Sequence, residues 1–266
     1  WTASSRASWV AQNFITDDTE ALSSAAEEAS MEYMSRIIKA ATRFDGMKLP
    51  PDLARQLMLL KIGSTLPAPA DAKERAELAD IEVSMTGLYG KGKYCPERLA
   101  HDPRAKKKCL SLGDLENIME KSRKYDDLLD AWRGWHAIAP PIKPKFARYV
   151  ELGNKGAREI GFRDLGELWR AGYDMTPAEL EADTDRLFRQ VKPLYDDLHC
   201  YVRGRLQKTY GKDKIPDGAP IPAHLLGNMW AQEWHDSDFR VDPDKGQAQL
   251  DVTENIKQKK LDEKAM

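Results

Sequence analysis

Along this chain, apolar residues recur three and four positions apart wherever a stretch is long enough to show a period, and this spacing predicts one helix after another. Thr16-Asp17-Asp18 predicts the cap of a long helix through about Arg43, with Leu22, Ala26, Ala29, Tyr33, Ile37 and Ala40 at helical spacing. Pro50-Pro51 opens another helix to about Ile62. Pro67 and Pro69 punctuate, and the period resumes from Lys73 to Tyr89 through Ala76, Ile81 and Met85. Ser111 and Asp114 form a cap-like pair for a helix to about Lys121, followed by one from Tyr125 to Trp135. The clearest start signal is Thr176-Pro177-Ala178-Glu179, with Thr as N-cap, Pro at the first helical position and Glu three residues after the cap. Beyond it Leu180, Thr184, Leu187, Val191, Leu194, Leu198 and Val202 predict one buried stripe running to about Thr209, with a kink at Pro193. A last helix is predicted from Pro222 to about Trp234, with Leu226, Trp230 and Trp234 as its core stripe and Leu225 and Met229 beside them. At 100° per residue, His224, Asn228, Gln232 and His235 fall within about 80° of one another on its polar face. No alternating strand pattern exceeds a few residues and no repeat is visible, so the predicted fold class is all-α.

Composition narrows the function. The chain has 266 residues and 41% apolar content, enough for a sizeable core. Charged residues make up 32% but nearly cancel to a formal net charge of -2, so no basic footprint argues for nucleic acid or an anionic membrane. No apolar run approaches the roughly 20 residues that cross a bilayer. A small soluble substrate fits better. From Asp236 onward the sequence turns polar and charge-rich, a segment expected to be loose unless the rest of a domain packs on it.

Local chemistry is sparse. The five histidines, at 101, 136, 199, 224 and 235, include no pair four apart, so no local zinc site is available. Gly87, Gly90 and Gly92 around Lys91 and Lys93 lack the strand and the Gly-Lys-Ser/Thr of a phosphate loop and read as a flexible turn. Asp126/Asp127 and Asp196/Asp197 read as solvated helix faces. Cys95 and Cys109 bracket a polar loop with Pro96, Pro103 and Lys106-Lys107-Lys108, while Cys200 lies in a helical pattern. From composition, two free thiols and a disulfide worth roughly 3 kcal/mol of loop-closure entropy both remain open.

Three stretches carry a resemblance. Ile221-Pro222-Ala223-His224-Leu225-Leu226-Gly227-Asn228-Met229-Trp230-Ala231-Gln232-Glu233-Trp234 is the most specific. The others are Ser122 through Trp135 and Lys145 through Leu152, both of which look like scaffold helices. Together they resemble the angiotensin-converting enzyme family of helical zinc peptidyl-dipeptidases, over nearly the whole chain. The resemblance implies an all-helical, ellipsoidal metallopeptidase with a deep central cleft, whose substrates are oligopeptides and whose metal is zinc. It implies that residues 1–266 are the N-terminal lid and one wall of a single peptidase domain, cut before the zinc motif. No His-Glu-x-x-His occurs up to Met266, so no catalytic or metal residue is expected here, and the catalytic half belongs to the remainder of the same polypeptide.

The resemblance also assigns roles. Gln232 matches the glutamine whose amide donates to the substrate's C-terminal carboxylate, alongside a Lys and a Tyr from far downstream. A dipeptidyl carboxypeptidase must measure two residues, about 7 Å, from that carboxylate to the scissile carbonyl, and fixed donors set the distance. Tyr173 falls where the family has a tyrosine on an activating chloride. His136 stands where many relatives carry an arginine for a second chloride, and a histidine is mostly neutral at pH 7. Cys95 and Cys109 match a short-loop disulfide of exported relatives. The expected location is periplasmic or secreted, and the absence of Asn-x-Ser/Thr sequons suggests a bacterial relative. Half of an interlocked helical shell is expected to fold poorly alone. The rival reading is a non-catalytic helical peptide-binding protein without the catalytic half.

Overall fold

The computed structural model describes residues 2–101, 103, 105, 108–234, 256, 258 and 259. Among the described residues ten α-helices follow in order: α1 (Thr2–Asn13), α2 (Asp17–Ala41), α3 (Pro51–Ile62), α4 (Ala72–Gly90), α5 (Glu97–Ala100), α6 (Leu112–Lys121), α7 (Tyr125–His136), α8 (Ala139–Glu159), α9 (Leu165–Arg170) and α10 (Pro177–Tyr210). No strand occurs among the described residues, and the all-α expectation holds. One isolated antiparallel bridge, Tyr94 with Leu110, flanks a Cys95–Cys109 disulfide, which decides between the two thiol readings. Cys200 is a free, exposed thiol.

The starts predicted at Thr16, Ser111 and Thr176 are where the sequence placed them, because each cap residue donates and accepts locally. Thr16, Ser111 and Thr176 all close capping boxes with the residue three positions on, satisfying backbone N–H groups that the first turn leaves without helical partners. Pro51 and Pro177 occupy first helical positions, where a missing N–H costs nothing.

Two apolar clusters hold the helices together. One joins α2, α4, α8 and α9 through Met31, Ile38, Leu78, Leu152 and Leu168, with the buried run Leu66–Pro69 laid against α8. Gly156 permits that approach, since a Cβ there would overlap the Pro67 carbonyl. The other joins α6, α7 and the C-terminal end of α10 to the segment after it, through Leu115, Leu128, Trp135, Leu206 and Met229. Tyr89 of α4 meets Trp135 of α7 edge-on, with ring centroids 5.3 Å apart, and links the two.

Four expectations are corrected. In α2 the stripe Leu22, Ala26, Ala29, Tyr33, Ile37, Ala40 faces largely outward, with Leu22 67% exposed. The helix instead buries Ser23, Met31, Ile38 and Ala41, the face that meets α1 and α4. In α10, Leu187, Val191, Leu194 and Leu198 are exposed, Leu194 by 72%, and only Val202 and Leu206 are buried. Periodicity shows that a face favours burial but not what covers it, and no described element lies along the middle of α10. The helix is continuous through Pro193. The stretch Pro222 to Trp234 is not an α-helix, as described below. Finally, Gly87 is no flexible turn: it is buried within α4, against the side chain of Glu20. Residues from His235 into the polar tail lie outside the described residues, apart from Ile256, Gln258 and Lys259.

Gly156→Ala should destabilise the protein by about 1–3 kcal/mol, because the backbone of Pro67 and Ala68 must move to admit a methyl group. Denaturant unfolding of the full-length protein measures it. Replacing Cys95 and Cys109 together by Ala should cost about 3 kcal/mol by releasing the loop in the unfolded chain. The same titration checks this, with wild-type protein under reductant as control.

Candidate functional site

The segment after α10 is pinned before it reaches the residues of interest. Gln207 Nε2 donates to the Ile215 carbonyl and to Asp217 Oδ1, each at 2.8 Å, and Arg203 donates to the Pro216 carbonyl at 3.1 Å. Lys212 pairs with Asp217 at 2.7 Å and, with Gln207, holds that carboxyl below the usual range. The chain then enters the core through Ile215 and Ile221, both buried.

From Ile221 to Trp234 the backbone makes a single 3₁₀ turn, Ala223–Leu225, and then a compact irregular loop. The apolar positions are buried as their sequence required: Leu225, Leu226 and Met229 are in the core, although Trp230 is 43% exposed. The element type differs because two residues leave the right-handed path, Gly227 at φ 96° and Ala231 at φ 55°. Asn228 stabilises the alternative. Its side-chain oxygen accepts from the N–H of Trp230 at 3.0 Å and of Gln232 at 3.2 Å, a local bond that competes with helix. Trp234 Nε1 donates to the Ala231 carbonyl at 3.0 Å and closes the loop.

The expected polar face is therefore dispersed. His224 is buried, edge-on to Tyr125 with ring centroids 4.6 Å apart. Asn228 is spent on the loop, and His235 lies outside the described residues. Of the three described members, Gln232 is the exposed one, with its main chain held by Asn228. It lines a hollow of about 500 Å³ with Glu116, Asn117 and Glu120 of α6, Trp230 and Glu233. Sequence reasoning missed Asn228 as the group that positions Gln232, and Glu116 and Glu120 as its neighbours. The adjacent Gly227-Asn228 pair, a turn signal, pointed to the first; nothing local pointed to the second.

Tyr173 ends a short 3₁₀ turn after α9 and is 63% exposed. The next residue, Asp174, has a left-handed backbone at φ 59° and pairs with Arg55 of α3 through both guanidinium arms. That hydrogen-bonded pairing lowers the Asp174 carboxyl below its ordinary value. Tyr173 and Gln232 line no common hollow among the described residues. His136 donates from Nδ1 to the Trp132 carbonyl at 2.7 Å and lies over the Trp132 ring, centroids 4.1 Å apart. Among the described residues no group of three or more His, Cys, Asp or Glu side chains is placed to hold a metal ion, and no helix is long and apolar enough to cross a membrane.

This all-helical scaffold, with its fixed glutamine loop, has relatives of matching sequence. The family profile Peptidase_M2, described as angiotensin-converting enzyme, matches residues 1–266. The angiotensin-converting enzyme of Bos taurus is 36% identical over 259 residues, covering 96% of this chain and 19% of the bovine protein. The angiotensin-converting enzyme-like protein Ace3 of Mus musculus is 44% identical over 202 residues, 75% of this chain and 26% of that protein. The angiotensin-converting enzyme of Theromyzon tessulatum is 36% identical over 182 residues, 68% of this chain and 29% of its own length. The chain belongs to the angiotensin-converting enzyme family, and it spans less than a third of the length of each of these relatives.

Asn228→Ala should free the Gln232 loop, removing two hydrogen bonds worth about 1 kcal/mol each. Amide exchange at Trp230 and Gln232 should then quicken by roughly tenfold or more while Leu128 and Leu206 stay protected. Unchanged exchange at the two loop amides would contradict the role given to Asn228.

Proposed function

We propose that this chain is the lid and substrate-anchoring wall of a zinc-dependent peptidyl-dipeptidase that releases C-terminal dipeptides from oligopeptides. The observation that carries the reading is the fixed, outward presentation of Gln232 over a hollow large enough for a peptide end. A primary amide offers two N–H donors, and donation to a carboxylate is stronger than donation to a neutral acceptor. A carboxylate held at a fixed point defines which peptide bond lies two residues away.

The groups beside Gln232 limit what this chain does by itself. Glu116, Glu120 and Glu233 line the same hollow, and among the described residues no Lys or Arg lines it with them. An anionic peptide end there needs cationic donors from the remainder of the polypeptide. Among the described residues no group is placed to hold the zinc of the family, and on the family resemblance the catalytic step belongs to the remainder of the polypeptide. The same remainder is the proposed cover for the exposed face of α10, and that uncovered face favours poor folding in isolation. A chloride at Tyr173 rests on the family resemblance and on an exposed hydroxyl beside the Arg55–Asp174 pair, which leaves the anion's positive partner to come from elsewhere. The Cys95–Cys109 disulfide favours an oxidising compartment, and we place the protein in the periplasm or outside the cell.

One observation favours the rival, a non-catalytic helical peptide-binding protein: the carboxylates of Glu116 and Glu120 beside Gln232 suit a basic peptide better than a free acid. Assay of the full-length protein separates the two. Dipeptide release that stops on zinc chelation is expected, and Gln232→Ala should raise KM by roughly 10- to 100-fold with little change in kcat, the loss of one hydrogen bond to a charged group. Peptide binding without hydrolysis in metal-loaded protein would establish the rival.

A further inference from the structure

Helix α1 is weakly held by apolar contact. Ala11 is its one buried residue among those described, while Trp9 and Val10 remain exposed. Its inner face instead covers two small hollows, of about 90 and 280 Å³, between α1, α2 and α4. Glu27 of α2 and Glu82 of α4 line both, and neither hollow is lined by a Lys, Arg or His. Ser4 of α1 donates to Glu27 Oε2 at 2.5 Å, the polar contact that ties α1 to the pair. Glu82 Oε2 is buried with no hydrogen-bond partner.

The charged groups nearby are committed. Glu20 of α2, which lines the smaller hollow, is paired with Lys91 at 2.6 Å, and Lys91 also reaches Asp17. From α8, Arg148 is bound to Glu77 and Glu151, and Lys155 to Glu74. Tyr149 of α8 contributes only a phenol, whose ionisation is disfavoured by burial and by the charge of Glu82. From α1 come the neutral Ser4, Ser8 and Gln12. An ionised Glu82 would therefore sit desolvated beside Glu27 with no cation among the described residues to answer it.

We propose that the Glu27–Glu82 carboxyl pair is a proton-operated latch for α1: a proton on Glu82 lets α1 dock, and its loss to solvent loosens the helix. Burial, and then the charge of Glu27, raise the Glu82 carboxyl from 4.5 to about 7 in the docked arrangement. The sign follows from linkage. Docking is strongest below the value of the free carboxyl, weakens as the pH rises above it, and reaches its floor once the docked carboxyl has ionised above about 7. The interval from 4.5 to about 7 caps the change in the docking equilibrium at roughly 300-fold.

Hydrogen exchange of residues 2–13 in the full-length protein tests the latch, with α7 as the internal reference and intrinsic exchange rates divided out. Protection of α1 should fall roughly tenfold or more relative to α7 between about pH 5 and about pH 8. Glu82→Gln should hold α1 protected across that range. Protection that is flat with pH in the wild type, or that falls equally in Glu82→Gln, would overturn the proposal. Should Glu82→Gln loosen α4 itself, Glu27→Gln decides, since it keeps an acceptor for Ser4 and removes the like charge. The midpoint must then move to lower pH, and an unmoved midpoint counts against the latch.

Discussion

The burial of α7 against the end of α10 and the segment that follows is the constraint on which the rest depends. Leu128, Ala131 and Trp135 present one face of α7, and Val202, Leu206, Ile221, Leu225 and Met229 fill it. With every one of those side chains nearly or fully buried, the loop that follows has little freedom in where it emerges. Gln232 is thereby carried on a rigid support, although its own stretch has no regular secondary structure. Trp135 extends the same constraint to α4 through Tyr89, and so to the cluster that organises α2, α8 and α9.

The two ends of the molecule are held by different physics. Around α7 the packing is mainly apolar. Around α1 it is thin and polar, built on serines, a glutamine and carboxyl groups, the groups on which the proposed latch rests. A helix that must be able to yield benefits from weak apolar docking, because local opening is drawn from the least buried parts of a fold.

Much of this was legible in the sequence where the cause is local. Thr16, Ser111 and Thr176 cap helices because a hydroxyl three residues from its partner can satisfy the first turn, and that geometry needs no tertiary context. Of the apolar positions from Ile221 to Trp234, Leu225, Leu226 and Met229 are buried as expected, while Trp230 is exposed and Trp234 half-buried, and the spacing could not tell helix from loop. Gly227 and Asn228 settled the loop by a left-handed backbone and two side-chain bonds. The stripes of α2 and α10 misled for another reason: which face is covered depends on distant elements, and the middle of α10 meets none among the described residues. The acidic surroundings of Gln232 were invisible because Glu116 and Glu120 are more than a hundred positions away in the chain.

The central claim is that Gln232 reads a free C-terminal carboxylate. Affinity of the full-length protein for a peptide acid and for its C-terminal amide, each measured in wild type and in Gln232→Ala, tests it as a double-mutant cycle. The account predicts that wild type prefers the acid and that Gln232→Ala loses roughly 10- to 100-fold on the acid but little on the amide. An equal loss on both peptides would contradict it, and would leave Gln232 as a contact to the peptide chain and not to its end.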